Sequence, residues 1–362
     1  MTVHGGNVWQ VAEELGISAS EILDFSASVN PRGLPLRARE RLARDASDAR
    51  LLSCYPDPSA RLLRRALSEQ LGVPAEAIAV GPGAESLLGP VLRAVEAQRV
   101  LVPVPAFSEY RRVCDAQRIG FLPFPLERAE LFRTPVDRFC QRMESQVSQT
   151  LLNNPHNPTG AVLEADEVRR ILSVSASRGM TLVLDEAFID YVPGASLVRE
   201  AAGNAGLIVI RSLTGFYGCP ALRVGYVVAH PDNVARIRAL FPAWPVTQLA
   251  LDALTEAVAD AEYAAASLRE NAVGREWLSE SLSALAVFVF PSAANYLLLE
   301  LGPDMPAASE LRSRLIAKHR ILICSCDSWE GLAPERFVRV AVRSTAENRR
   351  LIHALREELR LP

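Results

Sequence analysis

The sequence predicts an α/β protein in which a large, mostly parallel sheet flanked by helices is joined to a smaller α+β region. Three observations carry this. Six short apolar runs, each bounded by polar or glycine- and proline-containing segments, alternate with amphipathic stretches whose apolar positions lie three or four apart. No internal repeat or low-complexity tract interrupts the alternation, and strands separated by helices pair in parallel. After Trp244-Pro245 the texture changes to a long alanine-rich stretch followed by further apolar runs.

The predicted strands of the large sheet are Ile78–Val80, Val100–Val102, Gln149–Leu152, Thr181–Leu184, Leu207–Arg211 and Gly225–Ala229. Helices are predicted over 59–71, 85–95, 108–117, 165–178 and 231–240, because their apolar residues recur on one helical face. The alanine-rich region reads as helical to about Leu285, and strands are predicted at 287–290, 295–299, 321–324 and 337–342. The expected division is a segment 1–40 packed on the smaller domain, a large domain 41–245 and a small domain 246–362.

With 49% hydrophobic and 22% charged residues, the 362-residue chain has the composition of a folded protein with a sizeable core. A net charge of −3 supplies no basic stripe for nucleic acid, and no apolar run reaches the roughly 18 residues that span a bilayer. Neither partner is expected. The first residues lack the basic and apolar segments of a secretory signal, so a cytoplasmic location is expected and the six cysteines are read as thiols. Cys324 and Cys326, two apart in an apolar run, are read as packed residues. Lys318 is the sole lysine among the 39 basic residues, and a solvent-facing position is expected for it.

Four motifs carry chemistry. Asn154-Pro155-His156-Asn157-Pro158-Thr159-Gly160 follows a predicted strand, where α/β sheets bind ligands, and Asn157 is placed to offer its amide to a ring oxygen. Asp185 ends the next strand, where a carboxylate facing a buried pyridine nitrogen would keep it protonated; alone, it would be a helix cap. Gly81-Pro82-Gly83-Ala84-Glu85-Ser86 joins a strand to a helix, so free backbone N–H groups around Gly83, Ala84 and Glu85 could hold a phosphate. Ser212 and Arg223 could complete that cup by a hydroxyl hydrogen bond and a charged fork.

With these motifs in place the whole chain resembles the fold-type I pyridoxal-phosphate family, in the branch of histidinol-phosphate aminotransferase and L-threonine-O-3-phosphate decarboxylase. His4-Gly5-Gly6-Asn7 and the stretch Leu23 to Gly33 are similar to the amino terminus of the decarboxylase that serves cobalamin synthesis. The resemblance implies pyridoxal 5′-phosphate as cofactor, with Phe107 stacked on its ring. It also implies a homodimer in which Tyr55, in Tyr55-Pro56-Asp57-Pro58, reaches the partner's cofactor phosphate. At the substrate end it implies a phosphorylated amino acid such as threonine phosphate, with Arg343 on the carboxylate and His4 and Asn30 nearby. Arg339 and Arg343, both candidates for the substrate, are four apart on a predicted strand and share a face, so one of them could equally be a surface residue.

The sequence departs from the family at its centre. Ser212-Leu213-Thr214-Gly215-Phe216-Tyr217-Gly218-Cys219-Pro220-Ala221-Leu222-Arg223-Val224-Gly225 looks like the lysine-bearing loop, with Gly215 at the lysine position. A glycine can neither hold the cofactor aldehyde as a Schiff base nor shuttle protons at the substrate carbon. Cys324 stands where the decarboxylases commonly have arginine. The expectation is therefore a threonine-phosphate decarboxylase-like protein that binds pyridoxal phosphate without a covalent link and is impaired in turnover. Three alternatives stay open: an aminotransferase that forms a 2-oxo acid, an active enzyme whose lysine was replaced artificially, and a non-catalytic ligand-binding protein.

Overall fold

The computed structural model describes residues 5–143 and 147–359. Seven strands form the large sheet: β2 (Ile78–Gly81), β3 (Arg99–Val104), β4 (Gly120–Pro125), β5 (Gln149–Asn153), β6 (Thr181–Asp185), β7 (Leu207–Ser212) and β8 (Gly225–Ala229). Their order is β2-β8-β7-β6-β5-β3-β4, and only β8 runs against its neighbours. All six expected strands are present. The seventh, β4, went unread because Pro123 and Pro125 lie in it; it is an edge strand, where missing N–H donors leave no ladder bond broken.

Strand residues alternate between two cores with the period of two that the pleat imposes. Ile78, Leu152, Leu182, Leu184, Val209 and Val228 face one core, covered by helices Arg61–Leu71, Ala165–Ser177 and Gln248–Val258. Ala79, Val102, Leu151, Val183, Ile208 and Val227 face the other, covered by helices Ala84–Ala94, Glu109–Gln117 and Pro231–Arg238.

The alanine-rich region is two helices, Gln248–Val258 and Ala261–Ser283, separated where the Asp260 carboxylate accepts from Tyr263 N at 2.8 Å. Leu251 and Leu254 of the first pack into the core of the large sheet, so the expected boundary at 245/246 falls too early. The second lies against a four-stranded antiparallel sheet of β9 (Phe288–Val289), β10 (Tyr296–Glu300), β12 (Cys324–Ser325) and β13 (Phe337–Ala341), ordered β12-β13-β10-β9.

The run expected as one strand at 321–324 is two. β11 (Ile321–Leu322) pairs in parallel with β1 (Leu23–Asp24), and β12 turns to pair with β13. Near the amino terminus, Val11, Ala12 and Ile22 form a small apolar cluster with Ile316 and Leu322. Residues 26–30 are thereby led from β1 across the ends of the large-sheet strands.

Candidate functional site

The carboxyl ends of β2, β5, β6 and β7 open on one side of the sheet, and β8, running the other way, begins there. A cleft of about 270 Å³ lies over these ends, lined among others by Ala84, Glu85, Phe107, Asn157, Asp185, Ser212, Gly215, Arg223 and Arg339. Residues far apart in sequence meet because each sits at, or just beyond, a strand end.

At one end of the cleft, β2 runs through Gly81 into the helix that begins at Ala84, whose first N–H groups have no intrahelical partner. Gly83 has φ +99°, and a Cβ there would lie 2.9 Å from the Arg223 Nη2 atom. At Gly225 a Cβ would lie 2.4 Å from Ala84 N. Gly83 is favoured by its left-handed backbone and Gly225 by the close approach of the Ala84 backbone. Across the gap Ser212 Oγ lies 2.8 Å from Thr214 Oγ1, which adds two hydroxyls to the guanidinium and free amides. This donor set fits a phosphate. The Glu85 carboxylate is turned away to an ion pair with Arg112 (2.7 Å), so Glu85 contributes its backbone.

Midway along the cleft, Asp185 accepts from Tyr110 Oη (2.5 Å, Oδ2) and from Ala187 N (2.9 Å, Oδ1). Burial raises the Asp185 carboxyl above its ordinary range, and the two donors oppose that shift. Phe107 flanks the same space, edge-on to Tyr110 at 5.8 Å and 87°. A half-buried carboxylate beside an aromatic face is the environment a protonated pyridine ring requires. Tyr110 was not singled out in the sequence. Its place at the start of the helix that follows Phe107, three residues on, was the available signal.

At the far end Arg339 donates to Asn157 Oδ1 (2.6 Å) and to Ser26 O (2.9 Å), between the rings of Tyr296 and Trp329. Because its oxygen is taken by the guanidinium, Asn157 keeps its Nδ2 donors for a ligand. Two substrate-end expectations change here. Arg343 lies two residues beyond β13, which ends at Ala341, and is not among the residues that line the cleft; it donates to Asp24 O (3.0 Å) and pairs with Glu347 (2.7 Å). Asn30 lies behind the cleft, where its Nδ2 donates to Phe216 O and Ser267 Oγ and its N to Gly215 O. It braces the loop rather than meeting the substrate space.

Gly215 lines the cleft, and a Cβ there would meet only Ser28 O, at 3.4 Å. Lys318 lies elsewhere, its side chain 62% exposed and its Nζ donating to both Glu358 oxygens. Tyr55 does not line the cleft; it is 77% exposed and stacked on Trp244 at 4.1 Å. Cys324 and Cys326 are buried. His4 lies outside the described residues. No group of three or more His, Cys, Asp or Glu able to hold a metal occurs among the described residues.

The sequence model of aminotransferase class I and II matches residues 20–355. The chain belongs to that family. It is 34% identical to a threonine-phosphate decarboxylase of Salmonella typhimurium, over 99% of this chain and 97% of that protein. It is 31% identical, over 97% of its length, to the adenosylcobalamin biosynthesis bifunctional protein CobDQ of Leptospira interrogans, of which it spans 40%. A histidinol-phosphate aminotransferase of Methanocaldococcus jannaschii is 27% identical over 98% of this chain and 94% of its own.

Among solved structures, L-threonine-O-3-phosphate decarboxylase from Porphyromonas gingivalis superposes with TM-score 0.81 and 26% identity, covering 93% of this chain and 99% of its own. Histidinol-phosphate aminotransferase from Clostridium acetobutylicum gives 0.83 and 25%, covering 93% and 98%. The expected fold-type I architecture is thus the observed one. The cofactor of this aminotransferase-class chain is pyridoxal phosphate, for which the cleft offers a phosphate cup, an aromatic face and a half-buried carboxylate.

Proposed function

We propose that this chain is a threonine-phosphate decarboxylase-like protein of cobalamin-type biosynthesis that binds pyridoxal phosphate without a covalent link and is impaired in turnover. The relation to the Salmonella decarboxylase supports the first part. Gly215 carries the second: no lysine is among the residues that line the cleft. Its six cysteines are free thiols, which suits a cytoplasmic protein.

Bound pyridoxal phosphate supplies the electron sink for the bond broken at the substrate α-carbon. The amides at the start of helix Ala84–Ala94, with Ser212, Thr214 and Arg223, hold its phosphate. Asp185 holds a proton at the ring nitrogen, Asn157 Nδ2 donates to the ring oxygen and Phe107 covers one ring face. Arg339 takes the substrate carboxylate, and its bond to Asn157 ties that carboxylate to the ring contacts. A threonine phosphate fits this reading through the relatives rather than through a second cation of the cleft. At position 215 there is no amine to return a proton to the carbon, a transfer commonly worth about 10²–10⁴-fold.

A homodimer belongs to the same reading. The exposed Tyr55–Trp244 stack is an aromatic surface that a second copy would cover, bringing Tyr55 to the partner's cofactor phosphate. A second function, ligand binding without turnover, is favoured by Gly215 together with the buried Cys324. The deciding experiment combines equilibrium dialysis with pyridoxal phosphate, borohydride reduction with intact mass, and carbon dioxide release from threonine phosphate. Reversible binding, no fixed adduct and slow release support the decarboxylase-like reading. Binding with no reaction of any phosphorylated amino acid favours the second, and a stoichiometric adduct on the polypeptide overturns the non-covalent claim.

A further inference from the structure

We infer that Tyr110 is a positioning residue for the cofactor, fixing the Asp185 carboxylate with its hydroxyl and the Phe107 ring with its edge. The inference rests on pyridoxal phosphate being the ligand. Asp185 is the last residue of β6, and its side chain has two donors: Ala187 N on Oδ1 and Tyr110 Oη on Oδ2, the latter at 2.5 Å. The backbone donor alone leaves the carboxylate free to turn about it; two donors on different oxygens fix its plane. Tyr110 is 3% exposed and packed in the core above the sheet, so its hydroxyl has a fixed origin.

The same ring meets Phe107, which lies just before the helix, edge-on at 5.8 Å between centroids. One residue thus joins the group that faces the ring nitrogen to the group that covers the ring. Tyr296 also faces this pair, close enough to influence both Tyr110 and Asp185, and its own hydroxyl is committed to His156 O at 3.0 Å. Tyr110 Oη is therefore the side-chain donor on Asp185 among the described residues. In a protein with Gly215 in place of a lysine, this matters more than it would with a covalent tether. The hold on the ring then depends on non-covalent contacts alone.

The test compares Tyr110→Phe with the unsubstituted protein, using pyridoxal phosphate and its analogue with carbon in place of the ring nitrogen. Loss of a hydrogen bond to a charged group should weaken pyridoxal phosphate roughly tenfold and the analogue less than about twofold. In an Asp185→Ala background, Tyr110→Phe should weaken pyridoxal phosphate no further. Equal or greater weakening of the analogue, or no weakening of either, overturns the inference, as does full weakening in the Asp185→Ala background. If the unsubstituted protein itself fails to bind pyridoxal phosphate, the cofactor reading falls and takes this inference with it. That outcome is distinguishable because it appears before any substitution is made.

Discussion

Replacing Gly215 with lysine tests the central claim most directly. Gly215 is not among the left-handed glycines, and a Cβ there would find one neighbour within 4 Å, the Ser28 carbonyl oxygen at an ordinary 3.4 Å. The bonds that hold its backbone, Asn30 N and Gly218 N to Gly215 O, do not involve a side chain. Removing glycine's backbone freedom from the unfolded chain stabilises by about 0.4–1 kcal/mol, while partial burial of the amine opposes it. The two terms are similar in size, so the variant should fold with its thermal midpoint within ~3 °C of the parent. Pyridoxal phosphate should then survive desalting, borohydride should fix one equivalent at residue 215, and the cofactor absorption band should shift. In the unsubstituted protein no adduct should form, since Lys318 is held outside the cleft by Glu358. Turnover of threonine phosphate should rise by about 10²–10⁴-fold, the worth of a positioned proton transfer. If the parent binds pyridoxal phosphate but the lysine variant gains no covalent link, residue 215 is not aimed at the aldehyde and the argument fails.

Arg339→Ala should leave pyridoxal phosphate bound but weaken an amino-acid ligand by about 3 kcal/mol or more, because a buried charged donor pair is lost; Arg343→Ala, measured by the same titration, should change ligand affinity little. Tyr55→Phe should weaken cofactor binding by about 0.5–1.5 kcal/mol, or up to about 3 against the charged phosphate, and sedimentation should show a dimer; a monomer at micromolar concentration would end that proposal. Gly225→Ala should weaken phosphate-dependent binding and lower stability by about 1–3 kcal/mol, read by dialysis and thermal melting, because its Cβ would meet Ala84 N at 2.4 Å. Burial lowers the His156 pKa to about 4. The unfolded ring takes a proton near pH 6.5 and the folded one does not, so stability is present above pH 6.5 and falls by about 3 kcal/mol as pH drops toward 4. Asp185, Glu186 and Asp190, whose pKa values are raised by desolvation, act in the opposite sense, so denaturant curves of His156→Gln against the parent should isolate the histidine.

The large sheet was legible because its strands are buried on both faces and read as continuous apolar runs, such as Leu207-Ile208-Val209-Ile210. β4 was not, since Pro123 and Pro125 argue against a strand until its edge position is known. Helix Gln248–Val258 was legible as a helix but not as part of the large-sheet core. Alanine-rich composition continues unbroken past Val258, and only the Asp260 cap marks the division. The break between β11 and β12 was hidden for a similar reason. Ile321 through Cys324 are uniformly apolar, while the choice of partner strand is made by β1 and β13, some 300 and 15 residues away in sequence.

The site divided along the same line. Asn157, Asp185, Ser212 and Arg223 all line the cleft, and each is set there by local geometry: a strand end, a turn, or the residues just before the next strand begins. What failed was any assignment that depended on where a strand stops. Arg339 and Arg343 have the same chemistry and the spacing of one strand face, so sequence alone cannot rank them. The structure ranks them through Ala341, the last residue of β13. Arg339 is still in the pleat and points at Asn157, whereas Arg343 has entered the turn before helix Thr345–Glu358 and is claimed by the Glu347 of its capping box. Asn30 follows the same logic. Its neighbours Ser26 to Val29 line the cleft, but the turn closed by Gly33 N to Asn30 O carries its side chain back under Phe216. Tyr110 is the converse case, a residue with no motif of its own whose role comes from the strand end it faces. A carboxylate at the end of β6 needs a donor from the layer above. Only the packing of helix Glu109–Gln117 on the sheet brings Tyr110 to that oxygen.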